Sequence, residues 1–159
     1  MSPSRFTPYR SFIAALAAGT IAIMINVALL AVADSFGLVT ARGGLLTLLN
    51  RTQHVPGNGL SGNWLFQQAF HVVVGIAMAL LYAQLNVQFN ARPAVRPILK
   101  SLLYAAAVWL ANALIILPSI GQGIAGSRVI SVPGMLYFAF AHTAFFVING
   151  LLLARFSGE

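Results

Sequence analysis

Charged side chains are scarce in this sequence of 159 residues, which contains nine Lys or Arg and two Asp or Glu. They make up 7% of the chain, whereas charge is found on about a quarter of the residues of a soluble domain, because a small folded body is mostly surface. Hydrophobic residues account for 59% of the sequence. This composition excludes a soluble domain, a disordered chain and a collagen-like repeat. It predicts a protein whose solvent is a lipid bilayer.

Cysteine is absent and acidic residues nearly so. Zero Cys excludes disulfide frameworks, thiolate metal sites and iron–sulfur clusters. The two acids are Asp34 and Glu159, which leaves no paired carboxylates and no catalytic triad. Proton pumps and cation transporters usually carry Asp or Glu at membrane depth. The sequence therefore favours a protein that is not an enzyme. It also predicts no metal site, because histidines without carboxylate or thiolate partners leave zinc or copper coordination incomplete.

The formal net charge of +7 results from this shortage of acids. The cations stand at the ends of apolar runs and do not form a basic patch with interleaved aromatic residues. Their placement favours contact with anionic lipid headgroups and argues against nucleic acid as a partner. The lipid bilayer is therefore the first predicted partner.

Four apolar stretches are long enough, or nearly so, to cross a hydrocarbon core of about 30 Å as helices. They are residues 11–33, 64–85, 100–117 and 133–155. Pro118 is expected to end the third stretch, because proline cannot continue the helical hydrogen-bond ladder. The first is expected to be a retained membrane helix, since it is longer than the apolar region of a usual signal peptide and contains Asn26. The sequence thus predicts one all-α domain with four transmembrane helices.

The distribution of Lys and Arg predicts the orientation of these helices. One side of the membrane holds Arg5, Arg10, Arg92, Arg96, Lys100 and Arg155, and the other holds Arg42, Arg51 and Arg128. The excess of cations on the first side places both termini in the cytoplasm. An outer loop then spans residues 34–63, and its apolar segment 45–49, too short to cross, is expected to lie along the membrane interface.

An internal repeat is indicated when His71 is set over His142. Residues 69–71 then lie over 140–142, and residues 80–84 over 151–155, without gaps. The match predicts two tandem helical hairpins in the same orientation, which is a parallel repeat.

Each predicted helix carries at least one Asn or His that would be costly to expose to lipid. These four residues are Asn26, His71, Asn112 and His142. At 1.5 Å per residue they lie roughly 8–11 Å below the outer boundary and form one polar layer. Tyr82 and Asn149 continue the same helical stripes and are included in the predicted layer. In an up-down-up-down bundle the second and fourth helices are diagonal, so His71 and His142 are expected to face each other.

Three interpretations of this layer remain open. The imidazoles and amides could satisfy one another and set helix register without any ligand. Alternatively, His71 and His142 could be the axial ligands of a haem b, with Gly75 making room for the macrocycle. The third interpretation is a pocket for a quinone, a lipid or another apolar ligand. Its predicted boundary is Asn26, His71, Tyr82, Asn112 and His142.

Short motifs on three helices point to a family. They are His71-x3-Gly75, Leu81-Tyr82-Ala83, Trp109, Pro118, Gly121, Gly123, Gly126, His142 and Gly150. In these positions, over roughly residues 11–155, the chain resembles a family of small four-helix bacterial inner-membrane proteins known only as a domain of unknown function. The resemblance implies a four-helix fold and a multi-pass location in the bacterial cytoplasmic membrane. It implies no activity.

The leading functional hypothesis is a non-enzymatic accessory or structural subunit of a larger membrane complex. It is based on the small size, the scarcity of acids and the apolar composition. Its expected partners are other subunits or a second copy of the chain. A bis-histidine haem b electron-transfer protein and a quinone- or lipid-binding membrane protein are the alternatives.

Overall fold

The computed structural model describes residues 8–40, 43–52, 63–89 and 97–157. They form five longer helices, a 3₁₀ turn at Ile124–Gly126 and, within these ranges, no strand. The helices are α1 (Pro8–Ser35), α2 (Gly44–Thr52), α3 (Trp64–Phe89), α4 (Pro97–Ser119) and α5 (Val132–Ser157). All except α2 are long and apolar enough to cross a membrane. The prediction of an all-α protein with four helices of membrane-spanning length is confirmed.

Helix α4 does not end where proline was expected to end it. Residues Asn112–Ile116 form a π-helical turn, in which the N–H of Leu117 donates to the carbonyl of Asn112, five residues back. The next turn, Leu117–Ser119, contains Pro118. Proline lacks an N–H and normally clashes with the carbonyl four residues before it. The wider π turn displaces that carbonyl, so the helix passes through Pro118 and ends at Ser119.

The four long helices form a ring that is open on one side. Helix α1 packs against α3 and α5, and α5 packs against α1 and α4. Among the described residues, α3 and α4 make no extended contact with each other. Neighbouring helices are antiparallel, because contacts join late residues of α1 to early residues of α5, such as Leu29 to Tyr137 and Asn26 to Ala141. The loop end of the bundle is where α1 ends and α5 begins, and the terminus end is opposite.

Small side chains bring α1 close to its neighbours. Ala15, Ala18 and Ala22 are buried along one face of α1, and close backbone approach is a usual source of packing energy between membrane helices. Large apolar side chains elsewhere on α1, such as Phe12, Ile21 and Met24, are exposed. An exposed apolar surface of this kind is suited to lipid rather than water.

Helix α2 closes the loop end of the bundle. Gly44 packs against Ile116 and Leu117 of α4, and Leu46 is buried. At about 1.5 Å per residue its nine residues are too short to cross a bilayer. The segment expected along the membrane interface thus forms a helix that covers the end of the bundle.

Several cations used to predict the orientation lie outside the described residues. They are Arg5, Arg42, Arg92 and Arg96. Among the described ones, Lys100 stands in the first turn of α4 and Arg155 in the last turn of α5, both at the terminus end. The cytoplasmic location of that end stays a prediction.

Candidate functional site

A cavity of about 200 Å³ lies in a wedge-shaped gap between α3 and α4, on the open side of the helix ring. We call this gap the wedge. The apolar walls of the cavity include Ile23 of α1, Val108 of α4 and Phe146 of α5. Residues 43–46, at the start of α2, cover it at the loop end. The polar side chains that line it include Asn26, His71, Asn112 and His142. The four residues predicted from one Asn or His per helix are thus brought together around one cavity.

The wedge exists because α3 and α4 are joined toward the terminus end. The hydroxyls of Tyr82 and Ser101 lie 3.0 Å apart, and the Tyr82 ring packs edge-on against Tyr104 at 5.4 Å between centroids. The Tyr104 hydroxyl also contacts the sulfur of Met78 at 3.8 Å. These side chains hold the two helices together, while the space nearer the loop end is left as a cavity.

Asn26 connects three helices through a hydrogen-bond chain whose direction is determined by its partners. Its Nδ2 donates to the carbonyl of Ala141 on α5 at 2.8 Å. The amide oxygen therefore faces His71 on α3, at 2.9 Å from Nε2. Because this oxygen can only accept, Nε2 of His71 must carry the hydrogen. With 2% of its surface exposed, Asn26 is a buried amide bonded to both neighbours of α1.

His142 and Asn112 have partners on their own helices. Nδ1 of His142 lies 3.1 Å from the carbonyl of Phe138, and the Phe138 ring packs against the imidazole at 4.2 Å between centroids. Nδ2 of Asn112 donates to the carbonyl of Val108 at 3.1 Å. Both side chains are half-buried and line the cavity. The expected mutual satisfaction of the four residues is therefore found only for Asn26 and His71.

Tyr82 and Asn149, which were included in the predicted polar layer, do not line the cavity. Tyr82 bonds Ser101 nearer the terminus end. Asn149 follows His142 by seven residues, which is about 10 Å along a helix. A shared helical stripe puts residues on one face, but it does not put them at one depth. The cavity lining therefore includes four of the six predicted residues, and the inclusion of Tyr82 and Asn149 in the layer stays a prediction.

Asn149 is a second polar feature, separate from the cavity. It is 0% exposed, and among the described residues neither its Nδ2 nor its Oδ1 has a hydrogen-bond partner. Gly19 of α1 lies close to its amide oxygen. An unpartnered buried amide is destabilising by about 1–3 kcal/mol.

The variant Asn149→Leu is expected to raise the free energy of unfolding by about 1 kcal/mol, because Leu has the same branched shape and needs no partner. The control Asn149→Asp keeps the shape, adds a buried charge and is expected to be less stable than wild type. Unfolding in mixed detergent micelles, followed by circular dichroism, measures both. Destabilisation by Leu as large as that by Asp would show that the amide has a partner, such as a bound water.

The geometry does not fit a bis-histidine haem b. The cavity of about 200 Å³ is smaller than the roughly 300–1,000 Å³ of ordinary cofactor pockets. Nε2 of His71 is occupied by Asn26. The space over Gly75, expected to admit a macrocycle edge, is filled by Ile23, whose side chain a Cβ at that position would overlap. No cluster of three or more His, Cys, Asp or Glu that could hold a metal is found in the described part of the chain.

The two histidines aligned by the predicted repeat have different surroundings. His71 bonds Asn26 of another helix, whereas His142 bonds its own backbone. Gly75 lies under Ile23, while the matching position in α5 is the buried Phe146. The repeat stays a prediction, and the two hairpins use their matching positions in different ways.

Sequence reasoning missed two contributors to the site. Ser101 is fully buried and bonds Tyr82, and the only signal for it was a hydroxyl in an apolar helix. The start of α2, which covers the cavity, was assigned to the membrane interface. Its glycines, Gly43 and Gly44, were the available signal for a close approach to the bundle.

These features define a small all-α protein whose four long apolar helices fit a multi-pass membrane protein. Comparison with protein-family models, with curated proteins and with solved structures finds no match for the chain. The case for its function therefore rests on the chemistry of the cavity.

Proposed function

We propose that this chain is a membrane protein that binds a small lipophilic molecule, of the quinone or lipid class, in the cavity between α3 and α4. The observation that supports this proposal is a cavity with apolar walls that is also lined by amide and imidazole side chains, among them Asn26, His71, Asn112 and His142. Ligand pockets are typically apolar with a few convergent polar groups that orient the ligand. Polar side chains at membrane depth are energetically costly, and those that occur there usually mark a functional site.

The cavity volume limits the part of the ligand that is enclosed. An apolar cavity of about 150 Å³ is known to bind benzene, so about 200 Å³ accommodates one substituted ring or a short branched chain. A longer ligand would leave its tail outside. The open side of the helix ring, between α3 and α4, supports entry from the bilayer, where such a tail would stay among lipid chains.

Filling the cavity from α4 tests the proposal. Ala111 lines the cavity, and Ala111→Phe is expected to lower the amount of ligand retained by at least about tenfold, since a ring of similar size would occupy the same space. The matched control is Ala107→Phe, one turn earlier on the same helix, where the side chain is exposed. The measurement is mass spectrometry of organic extracts of protein purified in mild detergent.

The two variants also define the result that would reject the function. Wild-type protein that retains no lipophile, or that retains equal amounts in both variants and wild type, would contradict it. Circular dichroism should show the same helix content for all three proteins, so that loss of the fold is not mistaken for loss of the ligand.

The accessory-subunit hypothesis remains the second candidate, and one observation favours it. Helix α3 is the least buried of the four long helices, and its exposed side chains include Trp64, Leu65 and Val73. That face is suited to lipid or to another subunit. Purification that always yields a lone monomer would reject the subunit role. A bacterial cytoplasmic membrane with both termini inside is part of the same proposal, and rests on the Lys and Arg distribution and on the family resemblance.

A further inference from the structure

The hydrogen-bond character of the cavity indicates what kind of ligand it would take. A carbonyl oxygen can only accept, so the contact between Nδ1 of His142 and the carbonyl of Phe138 requires the hydrogen to be on Nδ1. In the neutral ring, Nε2 then carries a lone pair and is an acceptor. Within the described residues no protein donor contacts Nε2. His142 thus offers the cavity an acceptor.

The orientation of the Asn112 amide also follows from its hydrogen-bond partner. Because its Nδ2 donates to the carbonyl of Val108, its Oδ1 is turned away from that carbonyl. The amide oxygen is a second acceptor, and the amide nitrogen keeps one further hydrogen. By contrast, the oxygen of Asn26 and Nε2–H of His71 are used by each other.

We propose that the cavity is selective for a lipophile that carries a hydroxyl on a ring, such as a phenol or a quinol headgroup, with the hydroxyl donating to Nε2 of His142. This inference rests on the proposed function. A hydroxyl donates to His142 and can also accept from the remaining hydrogen of Asn112. A carbonyl or ether oxygen can accept from Asn112 but has no hydrogen to donate to Nε2, so it makes only one of these two hydrogen bonds. A reduced headgroup is therefore preferred to its oxidised form.

A pair of small probes of equal shape tests the selectivity. 4-Ethylphenol and 4-ethyltoluene differ by a hydroxyl in place of a methyl group, and each has a single ring that suits the cavity volume. Binding to the protein in lipid nanodiscs is measured by NMR titration, and partition into protein-free nanodiscs is subtracted. Wild-type protein is expected to bind 4-ethylphenol at least about tenfold more tightly, since an unsatisfied buried group is costly.

Two variants assign the preference to His142. His142→Phe keeps a ring without an acceptor, and is expected to reduce the preference for 4-ethylphenol to within about twofold while both probes still bind. Thr143→Val is the control, because it removes a polar group from the same helix whose hydroxyl bonds its own backbone, at Ala139. It should keep the wild-type preference.

A second readout does not depend on how the variants fold. The 15N chemical shift of Nε2 of His142 in wild-type protein should change when 4-ethylphenol is added, and should stay constant with 4-ethyltoluene. Equal binding of the two probes to wild type would overturn the hydroxyl preference and leave the proposed function standing. If neither probe binds, both the hydroxyl preference and the proposed function are contradicted. A shift of Nε2 that both probes cause alike, as expected if a water already occupies the acceptor, would also overturn the preference.

Discussion

Replacing Asn26 by Ala is expected to lower the free energy of unfolding by about 2 kcal/mol. The amide of Asn26 donates to Ala141 on α5 and accepts from His71 on α3, so its removal takes a hydrogen-bond partner from two other helices. Hydrogen bonds between membrane helices contribute about 0.6 kcal/mol on average and up to about 1.7. Two such bonds and a small void add up to the expected value. Unfolding in mixed detergent micelles, monitored by circular dichroism, gives the measurement.

Asn112→Ala is the matched control for this effect. It removes the same amide, but Asn112 donates within its own helix, to Val108, and no second helix loses a partner. Its effect is expected to stay below about 1 kcal/mol. A double-mutant cycle between Asn26→Ala and His71→Phe should show a coupling energy of about 0.5 kcal/mol or more. Equal losses for Asn26→Ala and Asn112→Ala, with no coupling, would contradict the assigned hydrogen-bond chain.

The variant Gly150→Ala is expected to destabilise the bundle by about 2–3 kcal/mol. A Cβ at Gly150 would overlap the hydroxyl of Ser101 and approach the hydroxyl of Tyr82 to 2.8 Å. Those hydroxyls form the link between α3 and α4. The added methyl group therefore has to push α4 away from α5 or break this link. The same micelle unfolding measurement detects either result.

The relief of this overlap by a second substitution provides the control. Ser101→Ala removes the hydroxyl that the new methyl group meets first, and alone it is expected to cost about 1 kcal/mol through the lost bond to Tyr82. The double variant with Gly150→Ala should then be more stable than the sum of the two single effects by about 1 kcal/mol or more. Strict additivity, or a Gly150→Ala protein as stable as wild type, would rule out the close approach at this position.

The number of long helices was predictable because it follows from the number of long apolar runs. A helix satisfies every backbone N–H and C=O within its own segment in lipid, and the bilayer thickness sets how many apolar residues each helix needs. Four of the polar side chains that line the cavity, Asn26, His71, Asn112 and His142, were also predictable. Each was an Asn or His within an apolar run, and helical rise gives depth directly from residue count.

Helix ends and the partners of those polar residues were harder to predict. Pro118 was expected to end α4, but the π turn at Asn112–Ile116 lets the helix continue. Whether a turn widens depends on packing against other helices, which local propensity does not contain. The same holds for Tyr82 and Asn149, which share helical stripes with His71 and His142 but do not line the cavity. Nothing local distinguishes an amide that bonds a neighbouring helix, as Asn26 does, from one that bonds its own, as Asn112 does.

What the sequence by itself determined is the solvent, the helix count and the set of polar residues available for chemistry. These are properties of residue type and spacing. Only the tertiary structure decided that α3 and α4 part toward the loop end, that α2 covers the gap, and that His71 is engaged while His142 presents an acceptor. The physical reason is that these features depend on which helices touch. Close contacts, such as the one that Gly150 permits between α4 and α5, join residues far apart in the chain, so local sequence does not contain them.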